Sequence, residues 1–429
     1  MPLWNVLVFP GGTEMGLEIC SALKGCKEVN LISAGSDVSN HAPFVFPSHY
    51  PLPTVHEPGW IEALNALIAV RSIDFIIPAY DDVLLPLAEN QDRIAAKVAG
   101  SPVETCRIAL SKRRTYDTLN GVVPCPVVYK TREDVRHFPV FSKPDVGQGS
   151  KGTRVIRNES DLATVAPTDV LLEYLPGEEF TVDCFSDRRK GVLFAGGRKR
   201  VRVRDGISVA TTGVEEPEFR QFADAIWSVL PFHGVWYFQV KRAADGTLKL
   251  MEVSPRVAGA MAFHRVLGVN FPLLSLYEAA GLPVGVMINP NLELQMDRAL
   301  INRYRHNLQF NAVYVDLDET VVFRGLVYVE LVSFLYQCVN SGIKLILLTK
   351  HPGDLQATLH RHRLQNLFDE IIHLRLDQDK ADAIVRTDSI FIDDSYSYRR
   401  QVALRKGIPT FDLSMIDMLI DHTGLRLQR

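Results

Sequence analysis

The feature that most constrains the fold is an apolar run that ends in two aspartates, one residue apart. Residues 313–320 read Val-Tyr-Val-Asp-Leu-Asp-Glu-Thr, so a buried strand carries Asp316 and Asp318 at its carboxyl end. A second apolar run is followed by Asp393 and Asp394. Polar groups at the carboxyl ends of parallel strands share one edge of a sheet. The pattern therefore predicts an α/β sheet whose acids hold a hard cation such as Mg²⁺.

Two further polar residues follow apolar or helical stretches in the same part of the chain. Thr349 ends the strand-like run 345–349, and Lys380 opens a helical stretch. With the two acidic pairs, in this chain order, they resemble the four motifs of the haloacid dehalogenase (HAD) superfamily of phosphatases. The likeness covers residues 311–429 and implies a doubly wound parallel sheet. Too few residues separate the motifs for a large cap domain.

The HAD resemblance assigns each of these side chains a role. Asp316 would be the nucleophile that forms an aspartyl phosphate. Asp318 would protonate the leaving oxygen and then activate water. Thr349 and Lys380 would bind the phosphoryl oxygens and stabilise their charge. The implied metal ligands are Asp316, Asp318, Asp393 and Asp394. Taken alone, an Asp-x-Asp pair is more often a solvated turn.

The front of the chain carries an independent set of signals. Lys143 lies on a strand-like run that continues into a loop with Gly147, Gly149 and Gly152. Glycine lets backbone N–H groups approach and bind an anion closely. Glycine-rich turns are also common without any ligand.

Further along lie a hinge-like segment and a predicted hairpin. Residues 171–183 form an apolar strand, a Pro-Gly turn and a second strand that begins near Glu179. Two later strand-like runs, joined by an Ala-Asp-Gly turn, predict a hairpin with Gln239, Glu252 and Ser254 on one face. Their oxygen atoms suit magnesium-bound phosphates.

These motifs resemble the ATP-grasp superfamily, and more closely its carbamoyl phosphate synthetase-like branch of carboxylate–amine ligases. The resemblance implies Mg²⁺ ligation by Gln239, Glu252 and Ser254, although the family usually has Asn where Ser254 stands. Arg256 would stabilise the transferred phosphoryl group or the acyl phosphate. The implied nucleotide-binding residues are Lys112, Lys143, Gly147, Gly149, Gly152, Glu173, Tyr174, Leu175 and Glu179.

The first hundred residues predict the leading part of such a fold. Residues 5–9 form a buried-strand pattern, a glycine-containing loop follows, and residues 17–23 are amphipathic, which indicates a βα start of a doubly wound sheet. The glycine spacing does not fit a dinucleotide fingerprint, so NAD is not expected. Asp81 and Asp82 are interpreted as a helix N-terminal cap.

A basic strand lies between the hinge and the hairpin. Alternation would place Arg198, Arg200, Arg202 and Arg204 on one face. The chain's net charge is −3 and no aromatic residues are interleaved, which argues against nucleic acid. We interpret some of these arginines as ligands for a small anionic substrate. A solvated edge strand is the alternative.

Length and composition are those of a chain with more than one core. The chain has 429 residues, 47% hydrophobic and 23% charged. The predicted architecture is α/β and α+β: a Rossmann-like pre-ATP-grasp subdomain, an ATP-grasp fold and a HAD-type doubly wound parallel sheet without a large cap. The expected boundaries are 1–105, 106–300 with a small ATP-binding subdomain at about 122–175, and 311–429. No signal segment or membrane span is evident, and the six cysteines form no Cys-x-x-Cys pair, so a cytoplasmic location is expected.

The sequence thus favours a bifunctional enzyme. An ATP-dependent ligase would join a small-molecule carboxylate to an amine through an acyl phosphate, and a phosphatase would act on a phosphorylated small molecule. The cofactors implied are ATP and Mg²⁺, with Mn²⁺ as a substitute, and a homodimer is compatible with the pattern. Two alternatives stay open: a carboxylate kinase that releases acyl phosphate, and a non-catalytic scaffold that senses nucleotide.

Overall fold

The computed structural model describes residues 3–147, 149, 151–204, 206–289, 292–304 and 306–427. The chain divides into two compact units, Met1–Leu300 and Ile301–Arg429. We call them the front unit and the rear unit.

The front unit begins with a five-stranded parallel sheet in the order β3-β2-β1-β4-β5. Its central strand is entirely apolar at Val6, Leu7 and Val8, which are fully buried because helices cover both faces. The elements are β1 (Trp4–Phe9), α1 (Glu14–Leu23), β2 (Val29–Gly35), β3 (His49–Pro51), α2 (Trp60–Arg71), β4 (Phe75–Pro78), α3 (Asp81–Glu89) and β5 (Lys97–Val98).

Two helices, α4 (Val103–Leu110) and α5 (Lys112–Leu119), lead to a small antiparallel sheet in the order β6-β9-β7-β8. Its elements are β6 (Val128–Tyr129), β7 (Val140–Pro144), β8 (Arg154–Ile156), α6 (Glu159–Ala163) and β9 (Asp169–Glu173). The glycine-containing loop connects β7 to β8, so the edge of this sheet carries it.

The rest of the front unit is a six-stranded antiparallel sheet in the order β14-β13-β10-β11-β12-β15. Its core includes the stacked rings of Phe232 and Trp236, whose centroids are 4.3 Å apart. The predicted hairpin is confirmed as β13 and β14. The elements are β10 (Glu179–Asp187), β11 (Gly191–Arg204), β12 (Ile207–Val214), α7 (Pro217–Val229), β13 (Gly234–Arg242), β14 (Leu248–Ser254), α8 (Ala262–Val266), α9 (Phe271–Ala279) and β15 (Gln295–Asp297).

The rear unit contains a five-stranded parallel sheet in the order β20-β19-β16-β21-β22. Strand β16 lies at the centre of this sheet, between β19 and β21. Its residues Ala312, Val313, Tyr314 and Val315 are all buried. The elements are β16 (Ala312–Val315), β17 (Val322–Phe323), β18 (Leu326–Val327), α10 (Val329–Asn340), β19 (Lys344–Thr349), α11 (Leu355–Arg361), β20 (Glu370–His373), α12 (Lys380–Ala383), β21 (Ser389–Ile392), α13 (Tyr396–Lys406) and β22 (Thr410–Phe411).

The segment between β16 and β19 holds a two-residue-strand hairpin, β17–β18, and helix α10. Over the described part of this segment there is no separate cap domain, as the sequence predicts. Among all helices in the described ranges, each is too short or too polar to cross a membrane.

Candidate functional site

A cleft of about 570 Å³ lies in the front unit, where the parallel sheet, the glycine-containing loop and the six-stranded sheet meet. Its walls include residues from all three parts, since α3, α5, β11 and β14 each contribute side chains. The predicted site residues that line it are Lys112, Gly147, Gly149, Gln239, Glu252, Ser254 and Arg256.

The β13–β14 hairpin presents the oxygen donors that the sequence predicts. Gln239 pairs with Glu252 across the hairpin, and Tyr237 pairs with Ser254, so these side chains share one face. All four line the cleft. An amide, a carboxylate and a hydroxyl oxygen form a donor set that suits a hard cation, so the residues present fit Mg²⁺.

Arg256 is held by a carboxylate that the sequence reasoning assigned differently. Its Nε donates to Asp81 Oδ1 at 2.7 Å and its Nη2 to Asp81 Oδ2 at 2.6 Å. Ser254 Oγ also donates to Asp81, at 3.1 Å. The interpretation of Asp81 and Asp82 as a helix cap is wrong, because Tyr80 is the N-cap of α3 and both acids lie in its first turn.

Lys143 is buried beneath the cleft rather than exposed to it. Its ammonium donates to Tyr116 Oη at 2.9 Å and to the Met251 carbonyl at 2.8 Å. Burial lowers the pKa of Lys143 to about 8, although the carboxylate of Glu252 opposes the shift. An ammonium with this pKa gains stability from any anion that approaches it.

Lys143 also lines a small apolar pocket together with the predicted hinge. Its other walls include Phe141, Leu172 and Leu175, and Glu173 and Tyr174 complete the hinge side. A narrow, mainly apolar slot has a shape that suits a planar base.

The carboxylate of Glu173 has a structural partner. It accepts from Lys249 Nζ at 2.6 and 2.8 Å and from the Val127 backbone N–H at 3.0 Å. The backbone N–H of Glu173 also donates to the Val127 carbonyl, at 2.9 Å. The carboxylate and the N–H of Glu173 are therefore both engaged within the sheet in this arrangement.

The glycine-containing loop closes one side of the cleft. The backbone N–H of Lys112 donates to Asp145 at 3.0 Å, and its ammonium donates to the Gly147 carbonyl. Gly149 and Gly152 both have positive φ, at 64° and 75°, which favours glycine. The loop is therefore tied to the start of α5, where Lys112 points into the cleft.

Arg200 connects Glu179, one of the nucleotide-binding residues that the resemblance implies, to the turn of the β11–β12 hairpin. One guanidinium nitrogen donates to Glu179 and another to the Gly206 carbonyl. The side chain is 6% exposed, and its Nε has no partner among the described residues. A buried, unpaired N–H that lines a cleft is satisfied when an anionic ligand enters.

The other arginines of the basic strand are separated by irregular pairing. Register shifts lie on both sides of Arg202, so the expected alternation is broken. Arg202 is exposed and pairs with Asp297, whereas Arg198 is buried. The expectation of one arginine face is therefore wrong, and only Arg198 and Arg200 line the cleft.

A buried triad of charged side chains, Asp183, Arg198 and His264, supports this wall, and no local sequence pattern predicts it. Asp183 accepts from Arg198 Nε at 2.8 Å and Nη2 at 3.0 Å, and it pairs with His264 Nδ1 at 2.8 Å. Burial opposes ionisation, but Arg198 and His264 outweigh it and lower the pKa of Asp183. Its partners are 15 and 81 residues away in the chain, so periodicity cannot reveal them.

The second candidate site lies in the rear unit, at the carboxyl ends of β16 and β21. Lys380 Nζ lies 2.8 Å from Asp316 Oδ1 and 2.7 Å from Asp393 Oδ2. All three side chains are buried. Thr349, at the end of β19, lies beside Asp316 and stabilises its carboxylate.

Two carboxylates share one ammonium in this cluster, which leaves a surplus negative charge. Burial raises the pKa of Asp393 to about 6, against the opposing charge of Lys380. Burial also raises the pKa of Asp316. For Lys380 burial acts downward, but the two carboxylates outweigh it and raise the pKa. A divalent cation would balance the surplus charge.

Asp394 completes an acidic cluster with Asp316 and Asp393. One oxygen of each lies within 4.8 Å of the others, a spacing that fits one metal ion. The carboxylate of Asp318 is not part of this cluster. It contacts His351 Nδ1 at 2.9 and 3.0 Å, so the prediction of Asp318 as a metal ligand does not hold for its side chain.

The turn after β21 has supports that the sequence did not reveal. Arg399 donates to the carbonyls of Asp393 and Asp394 at 2.7 and 2.6 Å. The backbone N–H of Asp394 donates to Thr320 Oγ1 at 3.1 Å. These contacts fix the direction in which the acidic pair points.

Comparison with known proteins concerns mainly the front unit. Residues 166–300 match the model of a family described as ATP-grasp in the biosynthetic pathway with Ter operon. The 3-methyl-D-ornithine–L-lysine ligase of Methanosarcina acetivorans is 24% identical over 261 residues, 57% of this chain and 67% of that protein. The D-alanine–D-alanine ligase of Fusobacterium nucleatum is 28% identical over 106 residues, 24% of this chain and 37% of that protein. The chain thus spans between about a third and two thirds of these relatives.

Solved structures share the fold. The L-amino acid ligase of Bacillus licheniformis has a TM-score of 0.54 at 16% identity, covering 65% of this chain and 74% of that one. The biotin carboxylase domain of Hydrogenobacter thermophilus 2-oxoglutarate carboxylase, solved with MgADP, has a TM-score of 0.56 at 16% identity, covering 66% and 71%. At these identities the likeness concerns the fold alone.

Proposed function

We propose, on the premise that the front unit has the ATP-grasp fold of the carboxylate–amine ligase superfamily, that this chain is a bifunctional enzyme. The front unit would form an amide or peptide bond with ATP and release ADP and phosphate. The rear unit would hydrolyse a phosphate ester.

The nucleotide proposal rests on the residues that fit it. Lys143 and Lys112 supply positive charge on either side of the glycine-containing loop, and Arg200 offers an unpaired N–H. Gln239 and Glu252 supply oxygen ligands. Mg²⁺, when bound there, would neutralise the phosphate oxygens.

The chemistry follows from how the cleft distributes charge. The substrate carboxylate oxygen attacks the terminal phosphorus of ATP, the bond to the ADP oxygen breaks, and an acyl phosphate forms. The neutral amine then attacks the acyl carbon, the bond to phosphate breaks and phosphate leaves with its electron pair, and the nitrogen loses one proton. Arg256 would stabilise the negative charge of both steps, which requires its guanidinium to be shared with or released from Asp81.

The single observation that carries this proposal is the cleft in which the β13–β14 oxygens, Arg256 and the glycine-containing loop converge. The test is a screen of the full chain for amine-dependent ADP release over amino acids and small acids, with mass spectrometry of the product. ADP release without any amine would favour a carboxylate kinase instead. No magnesium-dependent binding of ADP in calorimetry would overturn the proposal.

The rear-unit proposal rests on the Asp316–Lys380–Asp393 cluster and on the resemblance to HAD phosphatases. Asp316 would attack the phosphorus and form an aspartyl phosphate while Asp318 protonates the leaving oxygen. Asp318 would then remove a proton from water, which attacks phosphorus and frees Asp316. Lys380 and Thr349 would bind the phosphoryl oxygens.

The position of His351 fits this assignment of Asp318. Contact with a histidine holds the Asp318 carboxylate away from the acidic cluster and towards solvent, where a leaving group or water would lie. Hydrolysis of p-nitrophenyl phosphate by the full chain, compared with Asp316→Asn, tests the proposal. Equal rates in the two proteins would rule out an aspartyl phosphate at Asp316.

A further inference from the structure

One end of the front cleft is not used by the proposed nucleotide and metal residues. It is formed by Glu14 at the start of α1, Gly259 after β14 and Arg298 after β15, all of which line the cleft. We call it the Glu14–Arg298 subsite. We infer that this subsite binds the amine-donating substrate as an α-amino acid, with its carboxylate on Arg298 and its ammonium group on Glu14. The inference rests on the proposed ligase function.

Both charged residues are held by the fold rather than by each other. The backbone N–H of Arg298 donates to the Val209 carbonyl at 2.8 Å, which continues the β12–β15 pairing. Thr13 caps α1 by accepting from Gly16, and its hydroxyl donates to the Ala79 carbonyl at 2.7 Å. Their relative position is therefore set before any ligand arrives, which lowers the entropic cost of binding.

The side chains of Arg298 and Glu14 form only a long ion pair with each other. Arg298 Nη2 lies 3.7 Å from Glu14 Oε2, longer than a charge-assisted hydrogen bond. Within the described ranges, the only other hydrogen bond of the guanidinium is to the Ser208 carbonyl, at 3.5 Å, and its charge also acts on the carboxylate of Glu18, which is paired with Arg265. A guanidinium has five N–H donors, so most are available for a bidentate carboxylate.

Gly259 keeps the space between the two charges open. A Cβ placed there would lie 3.2 Å from Arg298 Nη2 and 3.4 Å from Glu14 Oε2. The φ of Gly259 lies outside the left-handed region, so its backbone does not require glycine. A side chain at this position would crowd both charged groups and narrow the space between them.

The opposite charges of Glu14 and Arg298 determine which chemical class of substrate fits the subsite. A simple acid or phosphate would be attracted by Arg298 but repelled by Glu14, and a simple amine would meet the reverse. An α-amino acid carries both charges on neighbouring groups and pairs with both residues. Gly259 is three residues from Arg256, at most about 10 Å along the chain, so the bound amine is within reach of the proposed acyl phosphate.

The test measures binding to the full chain with MgADP present, by thermal shift and calorimetry, so that no second substrate is needed. Pools of the standard L-amino acids are screened, and each hit is compared with its des-amino acid and its α-amide. The expected result is that an amino acid binds and both analogues bind at least about tenfold more weakly. If none of the pools binds, or if the des-amino acid binds equally well, the inference is overturned.

Three variants locate the site. Arg298→Met, Glu14→Gln and Gly259→Ala should each raise the Kd of the amino acid about tenfold or more while leaving the Kd of MgADP unchanged. Arg93→Met, which removes an exposed arginine that pairs with Glu62 outside the cleft, is the matched control and should change neither. Unchanged amino-acid affinity in all three variants contradicts the inference. Failure of the parent protein to bind MgADP would instead overturn the proposed function.

Discussion

At the scale of single residues, the two buried lysines of the candidate sites differ in what surrounds their charge. The ammonium of Lys143 contacts the Tyr116 hydroxyl and the Met251 carbonyl, which are both neutral. The ammonium of Lys380 lies between the carboxylates of Asp316 and Asp393. Burial therefore lowers the pKa of Lys143, whereas the two carboxylates raise the pKa of Lys380 against the effect of burial.

We expect Lys143 to lower the stability of the folded protein and to raise its affinity for MgADP. Replacing Lys143 with Met removes a buried ammonium, while Tyr116 Oη keeps its hydrogen bond to Met251 at 2.8 Å. We expect the free energy of unfolding at pH 7 to rise by on the order of 2–3 kcal/mol and affinity for MgADP to be lost. Chemical denaturation and calorimetry measure the two effects.

The pH dependence of that stability difference has a defined sign. The folded-state pKa of Lys143, about 8, lies below the ordinary value of 10.5 in the unfolded chain. The unfolded chain therefore binds more protons between these values, so the parent becomes more stable relative to Lys143→Met as pH rises from 8 to 10.5. A difference that stays constant over this range would contradict the buried, destabilised ammonium.

We expect Lys380, unlike Lys143, to stabilise the folded protein. Lys380→Met leaves the buried carboxylates of Asp316 and Asp393 without their ammonium, so we expect a loss of about 3 kcal/mol or more in the absence of Mg²⁺. Added Mg²⁺ should recover part of it. The control is Lys344→Met, which breaks an exposed pair with Glu370 and should cost less than about 1 kcal/mol. Denaturation curves with and without MgCl₂ measure the free energy of unfolding of both variants.

At the scale of elements, strand ends were predictable and loop contacts were not. The carboxyl ends of β16, β19 and β21 carry the polar residues because the apolar runs stop there. The approach of the β11–β12 hairpin to the glycine-containing loop depends on how two sheets meet, which no local pattern encodes. The sequence drew attention to Arg200 as one of four arginines, but its contacts with Glu179 and Gly206 were evident only in the structure.

The contact between the β11–β12 hairpin and the glycine-containing loop, at Gly206 and Gly149, gives a test with an internal control. At Gly206 a Cβ would lie 2.4 Å from the Gly149 carbonyl carbon, and its φ is 78°. At Gly246 φ is 86° and a Cβ would meet nothing within 4 Å. Both Gly→Ala changes should cost about 1 kcal/mol of stability through backbone strain, and Gly206→Ala should cost more because its Cβ would clash with the backbone of Gly149. Only Gly206→Ala should also weaken MgADP binding, which calorimetry measures. Equal affinities of the two variants for MgADP would show that the contact between Gly206 and Gly149 does not contribute to nucleotide binding.

At the scale of the whole molecule, two units carry two separate sets of candidate site residues. The sequence suggested this because each set is complete within its own stretch of chain. What the sequence could not supply is the identity of either substrate, because pocket shape arises from residues that are far apart in the chain.

Reciprocal substitutions in the full chain should separate the two activities. Glu252→Gln removes a proposed metal ligand of the front unit and should reduce ADP release by about a hundredfold or more, with hydrolysis of p-nitrophenyl phosphate unchanged. Asp316→Asn should give the reverse pattern. If either substitution abolishes both activities, a single shared reaction would replace the two-site assignment.

Because the front and rear units are parts of one polypeptide, every translated copy supplies them in a one-to-one ratio. Differences in gene expression or in the lifetime of separate proteins cannot change this stoichiometry. If the two units act in one pathway, the balance of flux between them must be set by their turnover numbers and by the supply of substrate.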